Sequence, residues 1–315
     1  MAHLRLIFMG TPDFAVPSLE LLLQQDYDIA AVVTAPDKPQ GRGRQIVASP
    51  IKQIAAANNL PILQPTNLKD PSFVSTLRSY QANLQVVVAF RMLPPIVWAM
   101  PSLGTINLHA ALLPQYRGAA PINWALINGE QETGVTTFFI EEAMDTGHIL
   151  LQEKTPIHAL DTVGTLSERL KHQGAALLLK TVQVLEKENV VSKAQPLVAP
   201  HLLKKAPKIY KAACQINWHQ STTAILNFIR GLSPYPGAWF EWQDTTIKVL
   251  AASAAHKREL APGVVATDGK TYLDVGTQTS AIAIQALQAA GKKPMDTPSF
   301  LRGQKIDTPP PIFKR

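Results

Sequence analysis

LQVVVAF (Leu84–Phe90), followed by GTINLH (Gly104–His109), reads as two strands that are buried on both faces. A strand with one wet face alternates apolar and polar residues, whereas a near-continuous apolar run needs cover on both sides. Upstream the theme repeats, with strand-like stretches at Leu4 to Met9, Ile29 to Thr34 and Pro61 to Leu63. Helix-like stretches separate them: Pro17 to Gln25, Ser49-Pro50 to Asn59, and one opened by Asp70-Pro71. Ser-Pro and Asp-Pro supply a capping side chain followed by a residue whose φ is already helical. Downstream come a helix at Ile122 to Asn128, a strand pair at Gly134 to Glu141 and Ile149 to Ile157, and a long amphipathic helix from Thr165 to Glu188. This alternation predicts an α/β, Rossmann-like domain, with a mostly parallel sheet and helices on both faces.

A chain of 315 residues exceeds what one core usually organises, so two domains are expected. The first is assigned to residues 1–190. Residues 191–207 hold three prolines without periodicity and read as a linker. In residues 208–315, Ser221 to Arg230 is helical in pattern, while Ala238 to Ala251 and Gly263 to Ile284 alternate like strands. That predicts a smaller, mainly-β, OB-like barrel. Charge divides in the same way. Residues 1–199 carry 15 Lys+Arg against 16 Asp+Glu, a net −1, and residues 200–315 carry 15 against 7, a net +8. A concentrated positive excess either attracts phosphates or serves as a solubilising surface.

Several function classes drop out. No stretch approaches the roughly eighteen continuous apolar residues of a membrane span. Leu4 to Met9 is short, contains Arg5 and soon meets Asp13, which suits a buried strand better than a secretory segment and points to the cytoplasm. Cys214 is the sole cysteine, so no intrachain disulfide or Cys-x-x-Cys pair exists, and it reads as a small buried apolar side chain. The first strand-to-helix turn, Gly10-Thr11-Pro12-Asp13, has one glycine where a dinucleotide fingerprint needs three. No phosphate loop, His-Glu-x-x-His pair or Gly-x-Ser-x-Gly elbow occurs, and the eight histidines lack metal-ligand spacing.

Asn107 and His109 remain, two apart at the end of an apolar strand, where both side chains project to one side. Ligands of open α/β sheets sit at the carboxyl ends of strands, which is where this pair falls. The same pair would also serve as a capped strand end. Two neighbouring features favour a site: the turn-rich loop Ala110 to Gly118, which holds Arg117, and Asp145-Thr146-Gly147 between two strands.

The run NLHAALLPQYRGAAPI (Asn107–Ile122), with MDTG (Met144–Gly147) downstream, resembles the signature of the folate-dependent formyltransferases. MGTPDFAVPSLE (Met9–Glu20), PDKPQGRGRQIVASPIK (Pro36–Lys52) and RGLSPYPGAW (Arg230–Trp239) resemble segments of those members that formylate the amine of initiator methionyl-tRNA. The resemblance thus extends over both domains. It implies a transferase that moves the formyl group of 10-formyltetrahydrofolate onto that amine, with no obligate protein partner and compatible with a monomer. It also implies that Asn107, His109 and Asp145 are the catalytic groups. Asn107 and His109 would donate to the formyl oxygen as it gains charge, where one preorganised donor is worth on the order of 3 kcal/mol. Asp145 would orient His109 and help pass the proton from amine to folate nitrogen. Taken alone, Asp145 is equally a turn residue.

The resemblance further implies folate contacts from Phe90, Arg91, Met92 and Leu93, with main-chain groups around Arg91 reading the pterin edge, and from Ala111, Leu112, Leu113 and Pro114. Here the chain departs from the family, which usually has Ser where Ala111 stands; Met144 also replaces a common Leu or Ile. For the RNA it implies contacts from Lys38, Arg42 and Arg44 in the Gly-rich insertion Thr34 to Ser49, and from Lys204, Lys205, Lys208 and Lys211. A solvated charged loop is the plainer account of that insertion. Two other functions are open. A formyltransferase for glycinamide ribonucleotide or an amino sugar would leave the basic domain and the Arg42 loop without a purpose. An RNA-binding module with no activity would leave Asn107, His109 and Asp145 without one.

Overall fold

Strand β1 (Arg5–Gly10) lies between two parallel neighbours, β2 (Asp28–Val33) and β6 (Leu84–Val88). The computed structural model describes residues 3–40, 45–187, 191–242, 245–255 and 259–303. It divides into two units: residues 1–118, 133–156 and 167–205, and residues 119–132, 157–166 and 206–315.

In the first unit, helix α1 (Val16–Gln24) links β1 to β2. A short hairpin follows, β3 (Lys38–Gln40) with β4 (Gln45–Val47), then α2 (Pro50–Ala57), β5 (Ile62–Leu63) and α3 (Pro71–Ser79). The Ser49 hydroxyl caps α2 by accepting from Lys52 N at 3.1 Å, and Asp70 caps α3 by accepting from the Ser72 and Phe73 amides. Beyond β6 come α4 (Pro95–Trp98), β7 (Thr105–His109), the two-residue β8 (Arg117–Gly118), β9 (Glu132–Phe139) and β10 (Ile149–Pro156). The main sheet has the order β10-β9-β7-β6-β1-β2-β5. It is parallel from β5 to β7 and turns antiparallel at β9.

Helices cover both faces of this sheet. Ile7, Met9, Ala31, Val33 and Val87 pack against Phe73, Val74 and Leu77 of α3 and Val97 of α4. On the opposite face, helix α6 (Val163–Glu186) crosses β7 so closely that a Cβ on Gly174 would lie 2.8 Å from Leu108 Cδ2. The expected Rossmann-like arrangement is therefore the observed one, with an antiparallel edge added.

The second unit contains α5 (Pro121–Ile127), although α5 precedes β9 in the chain. After the short β11 (Lys205–Ala206) come α7 (Thr222–Leu232), β12 (Ala238–Trp242), β13 (Thr245–Ala254), β14 (Val265–Thr267), β15 (Leu273–Gly276), β16 (Ala281–Ala289), β17 (Met295–Asp296) and α8 (Thr297–Arg302). The antiparallel sheet runs β12-β13-β16-β15-β14, with β17 on β16. Register shifts at Val249, Ala251 and Ala252 bulge β13, which bends the strand and curls the sheet around Trp218, Phe240 and Trp242. The mainly-β expectation holds as a curled antiparallel sheet.

Helix α5 docks on α7 at Gly231, where a Cβ would lie 2.7 Å from Ile127 Cγ1, and Asn123 Nδ2 donates to Gly231 O at 2.8 Å. A cut after residue 207 therefore strips α5 of its partner helix. The fragment 1–207 is expected to melt roughly 10 °C below the full chain in a thermal scan and to lose solubility, because apolar side chains of α5 become wet. An unchanged melting temperature would show that α5 needs no cover from α7.

Candidate active site

Asn107 and His109 lie on one face of β7. Val87 pairs in parallel with Asn107, and Phe138 of β9 pairs with Asn107 from the other side. The Phe138 and His109 rings also meet in a T-shaped contact, with centroids 6.5 Å apart. His109 is buried and Asn107 half-buried. Among the described residues no protein group hydrogen-bonds the Asn107 carboxamide, so its two N–H donors are uncommitted.

Asp145 meets His109 from the loop after β9: its Oδ2 stands 3.9 Å from His109 Nδ1, and both side chains are shielded, at 13% and 7% exposure. That separation is too long for a hydrogen bond. The ring is instead held by its other nitrogen, since His109 Nε2 lies 2.9 Å from the carbonyl oxygen of Tyr116. A carbonyl oxygen can only accept, so Nε2 carries the hydrogen, and Nδ1 is the nitrogen that faces both Asp145 and the site. The contact that orients the His109 ring is thus made by Tyr116, where Asp145 was expected to make it, and Asp145 faces the other ring nitrogen.

Tyr116 is the residue the sequence reading missed. It is buried and left-handed at φ 60°, a conformation that costs a non-glycine residue about 1–2 kcal/mol. The turn aims its carbonyl at His109 while its amide donates to Lys204 O at 2.6 Å. Asp145 is left-handed as well, at φ 55°, and its Oδ2 accepts from Gly118 N at 2.8 Å. Gly147 explains the tightness of the Asp145 turn, because a Cβ there would come within 1.7 Å of Phe139 O.

The two loops expected to hold folate emerge side by side, since their parent strands β6 and β7 are paired neighbours. In the first, Arg91 donates to the carbonyl of Thr66 at 2.9 Å and to that of Pro65, and its guanidinium stacks 5.5 Å from the centre of the Phe90 ring. Burial lowers its pKa, but an arginine stays charged. The side chain is thereby committed to fixing the loop. Leu93 is buried and Met92 exposed. In the second loop Ala111, Leu113 and Pro114 are buried and Leu112 half-buried. Thr136 donates to Ala111 O at 2.6 Å and accepts from Leu113 N, and Gln152 Nε2 donates to both Thr136 Oγ1 and Leu113 O at 2.9 Å. This chain thus stiffens the loop from β9 and β10, without a hydroxyl at position 111.

Of the residues assigned to RNA, Lys38, Lys204, Lys205, Lys208 and Lys211 are exposed. Arg42 and Arg44 lie outside the described residues. The hairpin of β3 and β4 has an anchored approach: Lys52 Nζ donates to Asp37 Oδ2 at 2.6 Å and Gln64 Nε2 to Asp37 Oδ1 at 2.8 Å. Lys52 first, and Gln64 second, hold the Asp37 carboxyl below the usual carboxylate range. Lys208 Nζ sits over the exposed Tyr210 ring at 5.4 Å. Among the described residues no cluster of His, Cys, Asp and Glu could hold a metal ion, and no helix is long and apolar enough to cross a membrane.

The sequence matches the Formyl transferase family over residues 4–182 and the Formyl transferase, C-terminal domain family over residues 208–305. The chain belongs to the formyltransferase family. It is 48% identical over 307 residues to a methionyl-tRNA formyltransferase of Bacteroides fragilis, covering 95% of each chain. A methionyl-tRNA formyltransferase of Flavobacterium johnsoniae is 46% identical over 307 residues, covering 96% of this chain and 97% of its own. Among solved structures, HypX from Aquifex aeolicus in complex with tetrahydrofolic acid superposes with a TM-score of 0.65 at 18% identity. That alignment takes in 100% of this chain and 51% of HypX, and at such identity it speaks for the fold alone. The formyltransferase fold thus brings together Asn107, His109 and Asp145, the three groups singled out in the sequence.

Proposed function

We propose that this formyltransferase moves the formyl group of 10-formyltetrahydrofolate onto the amino group of initiator methionyl-tRNA. The observation that carries the reading is the 48% identity to a methionyl-tRNA formyltransferase across 95% of both chains. The site chemistry agrees with it. Attack of the amine on the formyl carbon places negative charge on the formyl oxygen; the amine loses a proton and the folate nitrogen gains one. Asn107, with uncommitted N–H donors on the same strand face as His109, fits a charge-stabilising role at that oxygen. His109 is locked through Nε2–H, so Nδ1 is the nitrogen that takes up a proton and, in the charged ring, donates. Asp145, 3.9 Å from Nδ1, steadies positive charge on the ring and serves as a station for the proton. The loops that follow β6 and β7 offer folate rigid main-chain edges, Phe90 to Leu93 and Ala111 to Pro114.

The same reading gives catalysis to residues 1–190 and RNA holding to the basic residues 208–315, with 191–207 between them. It adds Lys38, Arg42, Arg44, Lys204, Lys205, Lys208 and Lys211 as phosphate contacts, and a monomer working in the cytoplasm, where charged tRNA is found. The direct test incubates the protein with 10-formyltetrahydrofolate and, in parallel, methionyl-tRNA, glycinamide ribonucleotide and amino sugars. Formylation of methionyl-tRNA is expected, with binding that weakens steeply as salt rises. Formylation of a small molecule alone would overturn the assignment, and a flat salt response would remove the basic residues from RNA holding.

A further inference from the structure

We propose that Gln195 is a positioning residue for formyl transfer, holding the Asp145 turn at its working distance from His109. This rests on the roles given above to His109 and Asp145. Gln195 Nε2 donates to Asp145 O at 2.8 Å and to Gly147 O at 2.9 Å. Its Oε1 accepts from Arg117 Nε at 3.1 Å and Nη2 at 2.6 Å. A primary amide has two N–H donors and one oxygen with two lone pairs, so every polar valence of this side chain is used. Two carbonyls on one side and a guanidinium fork on the other demand a donor and an acceptor in one flat group. A carboxylate satisfies only the arginine, and a hydrocarbon satisfies neither.

The brace spans the site. Arg117 belongs to the strand-end loop that also carries Tyr116, the residue whose carbonyl holds His109. Asp145 and Gly147 belong to the facing turn. Gln195 ties one to the other from a third segment, itself registered by Lys193, whose N and O pair with Ile149 at 2.8 Å. The turn needs such a tie. Asp145 is left-handed, and the space where a Gly147 side chain would stand is filled by the Phe139 carbonyl. Farther along the same segment, Lys204 O accepts from Tyr116 N. This closing stretch of the first unit thus fixes His109 through Lys204 and Tyr116, and Asp145 through Gln195.

The test is steady-state kinetics on the full chain with Gln195→Glu and Gln195→Met, each alone and combined with Asp145→Asn, with thermal melts alongside. Gln195→Glu keeps the shape and the Arg117 contact but turns an oxygen towards two carbonyls; Gln195→Met keeps the bulk alone. In the otherwise native chain kcat is expected to fall roughly 10- to 100-fold, the scale of a misplacement near 1 Å, while KM for methionyl-tRNA and the formyl donor stays within about twofold. On the Asp145→Asn background the further loss should shrink below about threefold, since Gln195 would have no carboxylate left to place. Native kcat in Gln195→Glu overturns the proposal. So does an equal loss on both backgrounds, or a loss in both variants that merely follows loss of folded protein. If Asp145→Asn alone leaves kcat unchanged, the catalytic reading of Asp145 falls and this proposal falls with it, an outcome distinct from failure of Gln195 alone.

Discussion

His109→Ala is expected to lower kcat by roughly two to four orders of magnitude and to leave the Kd for methionyl-tRNA within about twofold. The size follows from what the ring supplies. In the proposed mechanism, a donor aimed at a developing oxyanion and a group that relays a proton would together account for about 3–5 kcal/mol of barrier, and each 1.36 kcal/mol is a factor of ten. Binding is spared because His109 is buried at 6% exposure and offers no surface to a large RNA. Rapid-quench kinetics with excess enzyme and a filter-binding isotherm separate the two quantities. A matching loss of affinity would make His109 a substrate-holding group instead. His109→Asn is the informative companion, since it keeps a donor but cannot relay the proton, and it should fall between native and Ala.

Gly147→Ala is expected to cost nearly as much, although residue 147 is assigned no chemistry. The new methyl would lie 1.7 Å from Phe139 O, and the obstacle is backbone in a paired strand, so the turn must move outward by more than an ångström. Asp145 moves with it. A loss of roughly a hundredfold in kcat follows from misplacing the carboxylate, together with about 1–3 kcal/mol of stability from overpacking. Both are measurable, by turnover assay and by urea titration. A variant that melts like the native chain and turns over at the native rate would show that the turn is pliable and that the 3.9 Å approach of Asp145 to His109 has no catalytic weight.

Gly147 and Tyr116 also show where reading the sequence runs out. The strands, the caps at Ser49 and Asp70 and the long α6 were legible because helix and strand periods are local and repeat every few residues. Asn107 and His109 were legible as a pair for the same reason: a strand alternates its side chains, so residues two apart must share a face. Asp145 could be attached to them only by resemblance to a family, because no local rule brings residue 145 to residue 109. Gln195 was invisible. It lies in a proline-containing stretch without periodicity, and its value depends on which carbonyls happen to face it.

By itself the sequence determined an α/β sheet followed by a basic, mainly-β region, and it put Asn107 and His109 side by side at a strand end. Tertiary structure alone decided that Tyr116 orients His109, that Asp145 faces Nδ1 without bonding it, and that α5 joins the second unit rather than the first. Backbone hydrogen bonding and side-chain alternation are fixed by neighbours a few positions away. The distances around His109 depend on left-handed turns at Tyr116 and Asp145, held by Lys204 and Gln195 far along the chain, and on Gly147 pressed against the Phe139 carbonyl.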